Sequence, residues 1–148
     1  MLRAETDKDP NRVIVAVDGV GAYDHCKRSA MLSKLHSTPR ARALLPFVLQ
    51  FYGKQSQYLW THDCGAVYDI LQGEGCEQGD PLSPALFSLG LHDALHQAQS
   101  ELPDGDFLVA YLDDVYVFTT REGASAAFDI VTRHMETHAG IRCHFGKT

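Results

Sequence analysis

Val13 to Val17 form an unbroken apolar run, VIVAV, rich in β-branched residues, and this pattern predicts a short buried strand. Asp18 ends the run, and Gly19 and Gly21 break the regularity after it. Ala22 to Leu35 is helical in composition and is punctuated by Ser37-Thr-Pro-Arg40. A second helical pattern covers Ala41 to Tyr52 despite Pro46, and Gln57 to Leu71 reads as a hairpin turning at His62-Asp-Cys-Gly65. A loop rich in glycine and acid, Gln72 to Asp80, then leads to a helix from about Pro84 to Gln99. Its start is signalled twice, by Asp80 before Pro81 and by Ser83 before Pro84, each a capping side chain ahead of a proline. Leu82, Leu86 and Leu89 recur at helical spacing and give it a core face.

Phe107 to Leu112 and Val115 to Phe118 are β-rich segments joined at Asp113-Asp114. Ala124 to His138 is a helix stopped by Gly140 as a left-handed cap, and Ile141 to Phe145 is a candidate last strand. The order β-α-hairpin-α-hairpin-α-β predicts an α+β domain, a mostly antiparallel sheet with helices on one face. With 148 residues and no linker or repeat, one domain is expected.

Composition narrows the class without naming a function. Hydrophobic residues at 45% and charged residues at 22% exclude a disordered or fibrous chain. No apolar run is long enough to cross a bilayer, and Met1 to Arg12 lacks the apolar centre of a secretory signal. The four cysteines show no paired spacing and read as reduced thiols, so an intracellular protein, nuclear or cytoplasmic, is expected. His134 and His138 lie one helical turn apart before Cys143 and His144, but the HExxH arrangement of a zinc site is absent.

A net charge of −6 argues against a free-standing nucleic-acid binder. The average hides an island: no acid lies between His25 and Trp60, while Lys27, Arg28, Lys34, Arg40, Arg42 and Lys54 all do. On charge alone this reads as a solvated helical face, with a phosphate-contacting surface as the functional alternative.

The paired acids carry the sharpest signal. A two-residue hairpin turn favours Asn-Gly, Asp-Gly or Gly-X, yet Asp113-Asp114 holds two carboxylates and no glycine. Two such charges about 4 Å apart repel by roughly 4 kcal/mol at an effective dielectric near 20. A hard dication removes that repulsion and keeps positions open for substrate phosphates. Asp18 ends another apolar strand, and if the strands are neighbours the three carboxylates meet at one sheet edge, the donor set of a two-metal centre.

These residues fall into a family pattern. Val17-Asp-Gly-Val-Gly-Ala-Tyr-Asp24 resembles the first palm motif of reverse transcriptases, Glu77-Gln-Gly-Asp-Pro-Leu-Ser-Pro84 the second and Tyr111-Leu-Asp-Asp114 the third. Gly140-Ile-Arg-Cys-His-Phe-Gly-Lys-Thr148 looks like a degraded fourth. The likeness is greatest to retrotransposons lacking long terminal repeats, whose second motif reads QGxPLSP, and it runs from Val13 to the C-terminus.

The resemblance implies a polymerase palm, a ferredoxin-like antiparallel sheet with helices on one face, plus part of the fingers. It implies an RNA-directed DNA polymerase that adds deoxynucleotides to a primer 3′-hydroxyl with two Mg²⁺ ions, Mn²⁺ being an alternative. Asp18 and Asp113 would be the principal metal ligands and Asp114 a supporting one. Tyr23 falls at the steric-gate position, the backbone of Gly19, Val20, Gly21 and Ala22 would lie against the triphosphate, and Gln78 and Gly79 would border the incoming base and the template. Lys147 matches the late lysine that protonates the leaving pyrophosphate. The basic island would then face template or primer backbone. The implied partners are an RNA template, a DNA primer and deoxynucleoside triphosphates, with no membrane.

Departures from the family pattern matter too. Only 17 residues precede Asp18, and no thumb follows Thr148, so residues 1–148 read as a palm fragment whose fingers and thumb come from a longer polyprotein. His144 stands where relatives of this type have asparagine. Two other readings stay open: a non-catalytic remnant that folds and binds metal or nucleic acid, and a nucleotide cyclase on a palm-like sheet. The second motif, Gln78-Gly79-Asp80-Pro81 before a helix, is not what a cyclase predicts.

Overall fold

The computed structural model describes residues 9–144. Its main sheet has three antiparallel strands in the order β1-β5-β4, with β1 at Arg12–Val17, β4 at Phe107–Tyr111 and β5 at Asp114–Thr120. The Val13–Val17 run is therefore an edge strand. Only Val17 of that run is fully buried, and Ala16 is exposed. Val13, Val15 and Val17 pair with Thr119, Val117 and Val115, so the β-branched residues of both strands share one face. On the opposite face Phe118 is covered by Phe107, its cross-strand partner, with ring centroids 4.4 Å apart and nearly parallel planes.

The hairpin at residues 56–72 does not join this sheet. Strands β2 (Ser56–Thr61) and β3 (Val67–Gln72) pair only with each other, and most of their side chains are exposed. The expected single sheet is thus two sheets: the hairpin's apolar face, Tyr58, Trp60, Tyr68 and Ile70, is exposed and does not pack on the core.

The helix expected over Ala22 to Leu35 is broken into α1 (Ala22–His25) and α2 (Arg28–Ser37). Tertiary partners take over the backbone at the break: Lys27 N donates to Ala139 O at 2.8 Å, and Cys26 O accepts Gly75 N at 2.8 Å. Glu74 Oε2 then accepts the first α2 amide, that of Arg28, at 2.7 Å, acting as a cap from a distant loop. The Ala41–Tyr52 segment opens with a 3₁₀ turn, Arg42–Leu44, before α3 (Leu45–Tyr52), which tolerates Pro46 because it lies in the first turn.

Helix α4 (Ser83–Glu101) is the spine of the core. Asp80 Oδ1 accepts the Leu82 amide at 2.9 Å just before the helix, as the Asp-Pro signal predicts. Ser83 is already helical and its hydroxyl meets Tyr52 instead of capping. Phe87, Leu91, Ala94 and Ala98 of α4 pack with Met31 and Leu35 of α2, Val17, Val115 and Val117 of the sheet, and Val131 of α5 (Ala124–His134). A π turn, Met135–Ala139, ends α5 and Gly140 follows at φ 75°, the left-handed stop expected from the sequence. In place of a full last strand there is one bridge, Gly19 to Cys143; Phe145 lies outside the described residues.

Gly90 sets how closely α4 approaches α1 and α2. A Cβ there would sit 2.8 Å from Cys26 Sγ and 2.9 Å from Met31 Cγ, both buried. Replacing it by alanine gains about 1 kcal/mol of helix propensity. Overpacking at such distances costs about 1–3 kcal/mol. Gly90→Ala is expected to be net destabilising, seen as a lower urea midpoint at unchanged m-value; an unchanged or higher midpoint would show that the contact relaxes freely.

Candidate active site

The acidic site is built by the register of β1 on β5. Val17 faces Val115 as the last pair of β1 with β5, so Asp18, just past β1, and Asp114, the first residue of β5, lie at the same end of the sheet. Asp113 sits in the β4–β5 turn beside them. All three are exposed.

The turn itself corrects the expectation by one residue. Tyr111 pairs with Asp114, so the two turn residues are Leu112 and Asp113 rather than Asp113 and Asp114. Leu112 holds φ at 56°, the sole positive φ on a non-glycine among the described residues. A left-handed leucine costs roughly 1–2 kcal/mol, strain of the kind that persists where surrounding structure over-determines a functional turn.

Two neighbours tie these acids into the fold. Asp18 O accepts the His144 amide at 2.9 Å, and burial followed by the nearby Asp18 carboxylate pushes the Cys143 thiol up to about 11. The Tyr23 hydroxyl is held above its usual range, first by burial and then by the Asp113 charge. Among the described residues no three His, Cys, Asp or Glu side chains are gathered into a ready metal cage. The set is instead exposed, hard oxygen donors on one edge. That suits Mg²⁺, which binds through one or two carboxylates and completes its shell with water and substrate phosphates.

A cavity of about 530 Å³ opens beside Asp113 and is lined by Tyr23, Glu77, Gln78, Gly79, Asp80, Ser83 and Pro84. It therefore brings together residues from three separate stretches that the sequence reading singled out. Gly79 lies at φ 96° with open space around it, a conformation that favours glycine and lets a ligand approach the backbone. The Tyr23 ring lies flat on Phe87, centroids 4.3 Å apart and planes within 6°, so a buried α4 residue sets its orientation. The Gly19–Ala22 stretch is less open than expected. The Val20 amide donates to Arg142 O at 2.8 Å, Gly19 is bridged to Cys143 and Ala22 is buried, so the Val20 N–H is not available to a phosphate; Gly21 is exposed at φ 52°.

The basic island divides. Arg28 is only 4% exposed, which corrects its reading as a nucleic-acid contact. Its Nε donates to Gly75 O at 2.9 Å, one terminal nitrogen to Lys54 O at 2.8 Å and the other to Ser56 Oγ at 3.0 Å. The guanidinium also lies 5.2 Å over the Tyr52 ring, and the Tyr52 hydroxyl donates to Asp80 and lies 3.2 Å from Ser83 Oγ. Arg28 and Tyr52 thus clamp the loop that carries Gln78 and Gly79, from behind. Lys27 Nζ donates to Thr137 O at 2.9 Å and Lys34 pairs with Asp93 at 2.6 Å, whose carboxyl it holds below the usual range. Arg40, Arg42 and Lys54 are exposed, and Lys147 lies outside the described residues.

Sequence reasoning missed Phe87, Tyr52 and the role of Arg28. Phe87 carries a signal, since it falls one helical turn after Ser83 and before Leu91 on the core face. Nothing in the sequence marks the Arg28–Tyr52 stack, whose partners are 24 positions apart. His134, weighed as a metal ligand, is bonded to Glu101 at 2.7 Å.

The profile of the reverse transcriptase (RNA-dependent DNA polymerase) family matches residues 3–148. The retrotransposable element SLACS 132 kDa protein of Trypanosoma brucei gambiense is 29% identical over 104 residues, which are 70% of this chain and 9% of that protein. Telomerase from Candida albicans, solved with a fragment of telomeric RNA, superposes with a TM-score of 0.68 at 12% identity, covering 98% of this chain and 29% of that one. Telomerase from Candida tropicalis, also with such a fragment, gives 0.67 at 12% identity over 99% of this chain and 27% of that one. At this identity the likeness to telomerase is one of fold, that of a polymerase palm with its antiparallel sheet and packed helices. The chain spans under a third of each of these relatives.

Removing the Arg28 head group leaves the buried Gly75 carbonyl and the half-buried Lys54 carbonyl without this donor, at about 1–3 kcal/mol for a group left fully buried and unpaired. Arg28→Met is expected to lower stability by at least about 2 kcal/mol in urea unfolding. A loss within about 0.5 kcal/mol, the scale of a neutral surface change, would place Arg28 among the solvated cations after all.

Proposed function

Since this chain belongs to the reverse transcriptase (RNA-dependent DNA polymerase) family, we propose that its site performs template-directed deoxynucleotidyl transfer to a primer 3′-hydroxyl. The observation that carries this reading is the single cavity uniting Asp113, Tyr23 and the Gln78-Gly79 loop. A nucleotide seated there would have its sugar over the Tyr23 ring, its base against the loop and its phosphates toward the acidic edge.

Asp18 and Asp113, supported by Asp114, are the residues that would hold two Mg²⁺ ions, with Mn²⁺ as a substitute. Bound there, such ions would make the 3′-hydroxyl a better nucleophile and offset the charge of the leaving pyrophosphate. The rest falls to the chain's own groups. Tyr23, stacked on Phe87, would stand under the sugar and exclude a 2′-hydroxyl, which selects deoxynucleotides. Gln78 and Gly79 guide base and template past the site, and Lys147 supplies a proton to the leaving group. Arg40, Arg42 and Lys54 attract the phosphate backbone. The RNA template, the DNA primer and deoxynucleoside triphosphates are the partners in this reading. Further fingers and thumb would come from a longer polyprotein acting in the nucleus or cytoplasm.

The test is primer extension on an RNA template with Mg²⁺ and deoxynucleotides. Asp113→Asn is expected to cut extension by at least roughly a hundredfold while leaving the fold intact. Equal extension by parent and variant would remove Asp113 from the metal site. A folded parent that extends nothing would assign the chemistry to a longer protein of which this chain is the centre.

Tyr23→Ala is expected to raise ribonucleotide use relative to deoxynucleotide use by roughly tenfold to a hundredfold, the scale on which a pocket senses one hydroxyl. Competition between the two nucleotides in the same assay measures this, and an unchanged ratio takes Tyr23 out of the gate.

A further inference from the structure

A second cavity adjoins the nucleotide site. It measures about 450 Å³ and is lined by Phe47, Phe51, Asp80, Pro81 and Leu82. Asp80 borders both cavities, so a ligand in one lies next to a ligand in the other.

Phe47 and Phe51 stand one turn apart on α3, are 50% and 57% exposed, and touch each other with centroids 5.2 Å apart. Helix α3 buries only Val48 and Tyr52. A paired aromatic surface left in water is a feature that marks a contact site. What it contacts is indicated by charge. Arg42 stands in the turn leading into α3, Arg40 just before it and Lys54 just after its end, all exposed, and no acid occurs between His25 and Trp60. The Asp80 carboxylate at the cavity wall is already engaged by the Tyr52 hydroxyl and the Leu82 amide. Aromatic faces flanked by cations are what a single strand of nucleic acid needs, since every base has a face to stack and every phosphate a charge to neutralise.

The β2–β3 hairpin provides the contrast. Leu59, Trp60 and Tyr68 are exposed to a similar degree, yet the hairpin carries Asp63 and Asp69 and no lysine or arginine. Its apolar surface lacks the charge that would favour a phosphate backbone.

We infer that the Phe47–Phe51 face of α3 is a stacking shelf for an unpaired base of single-stranded RNA, the template strand beside the nucleotide cavity. The shelf rests on the proposed polymerase reading and adds to it a place where the template is held by stacking, independent of its sequence.

The experiment is fluorescence anisotropy of a labelled single-stranded oligo(U) RNA titrated with the chain at several salt concentrations. The double variant Phe47→Ala/Phe51→Ala is expected to bind about tenfold or more weakly, with the salt dependence unchanged because stacking releases no counterions. Arg42→Ala is expected to reduce the slope of log K on log salt by about 0.7 instead. Both phenylalanines are exposed, so circular dichroism should show the double variant folded. Parent-like RNA binding by the double variant overturns the shelf and leaves the polymerase reading standing. If binding stays the same and the double variant loses self-association by size exclusion, the face is a protein contact and the shelf is also overturned. No RNA binding by the parent at low salt defeats the template reading itself.

Discussion

The pairing of β1 with β5 governs everything that happens at the acidic edge. Val17 opposite Val115 buries the last rung against α4 and α5, and strand alternation then sends Asp18 and Asp114 outward together. A slip of β1 by one residue would turn its β-branched face to solvent and draw Asp18 inward, while β5 stays held by β4. The hydrophobic effect thus positions charged groups that contribute nothing to the core. The acids gain their proximity from the packing of the valines behind them.

A second constraint acts from the other side of the site. The loop at residues 74–80 has little regular structure, yet it presents Gln78 and Gly79 to the cavity beside Asp113. Its backbone is held at Gly75 by Arg28 and by the docking of Gly75 N on Cys26 O and Cys76 N on Tyr23 O, and the Asp80 carboxylate accepts the Tyr52 hydroxyl. Gly75 permits this approach because a Cβ there would fall 2.3 Å from Asp24 O. The break between α1 and α2 frees the Cys26 carbonyl for the same purpose. Irregular features that look unrelated along the chain are therefore parts of one fastening.

Family membership and geometry bear on different claims. The profile match covers nearly the whole chain and establishes the lineage, while the superposition on telomerase shows that a palm survives at 12% identity. What persists at such distance is the fold; in this chain it brings three segments to one cavity. Side chains behind the cavity act on that arrangement without lining it: Phe87 orients the Tyr23 ring and Arg28 fixes the loop at Gly75.

Much of this protein was legible in the chain itself. Periodicity placed β1, the hairpin strands, α4, α5 and the Gly140 stop, since each depends on local preferences that neighbours in sequence express. The family motifs marked Asp113, Tyr23 and the Gln78-Gly79 loop, residue types restricted at short spacing, and these residues line one cavity. Three matters needed the tertiary structure. The turn shifted to Leu112-Asp113 because cross-strand pairing, not turn preference, set the register. The hairpin's separate sheet was not legible because a local pattern does not say which partner strand is within reach. Arg28 was drawn inward because the carbonyls of Lys54, just before the hairpin, and Gly75 converge on it, and a charge count along the chain cannot see oxygens gathered from 26 and 47 residues away. Local energetics can be read residue by residue; convergence of distant polar groups is decided only when the chain closes on itself.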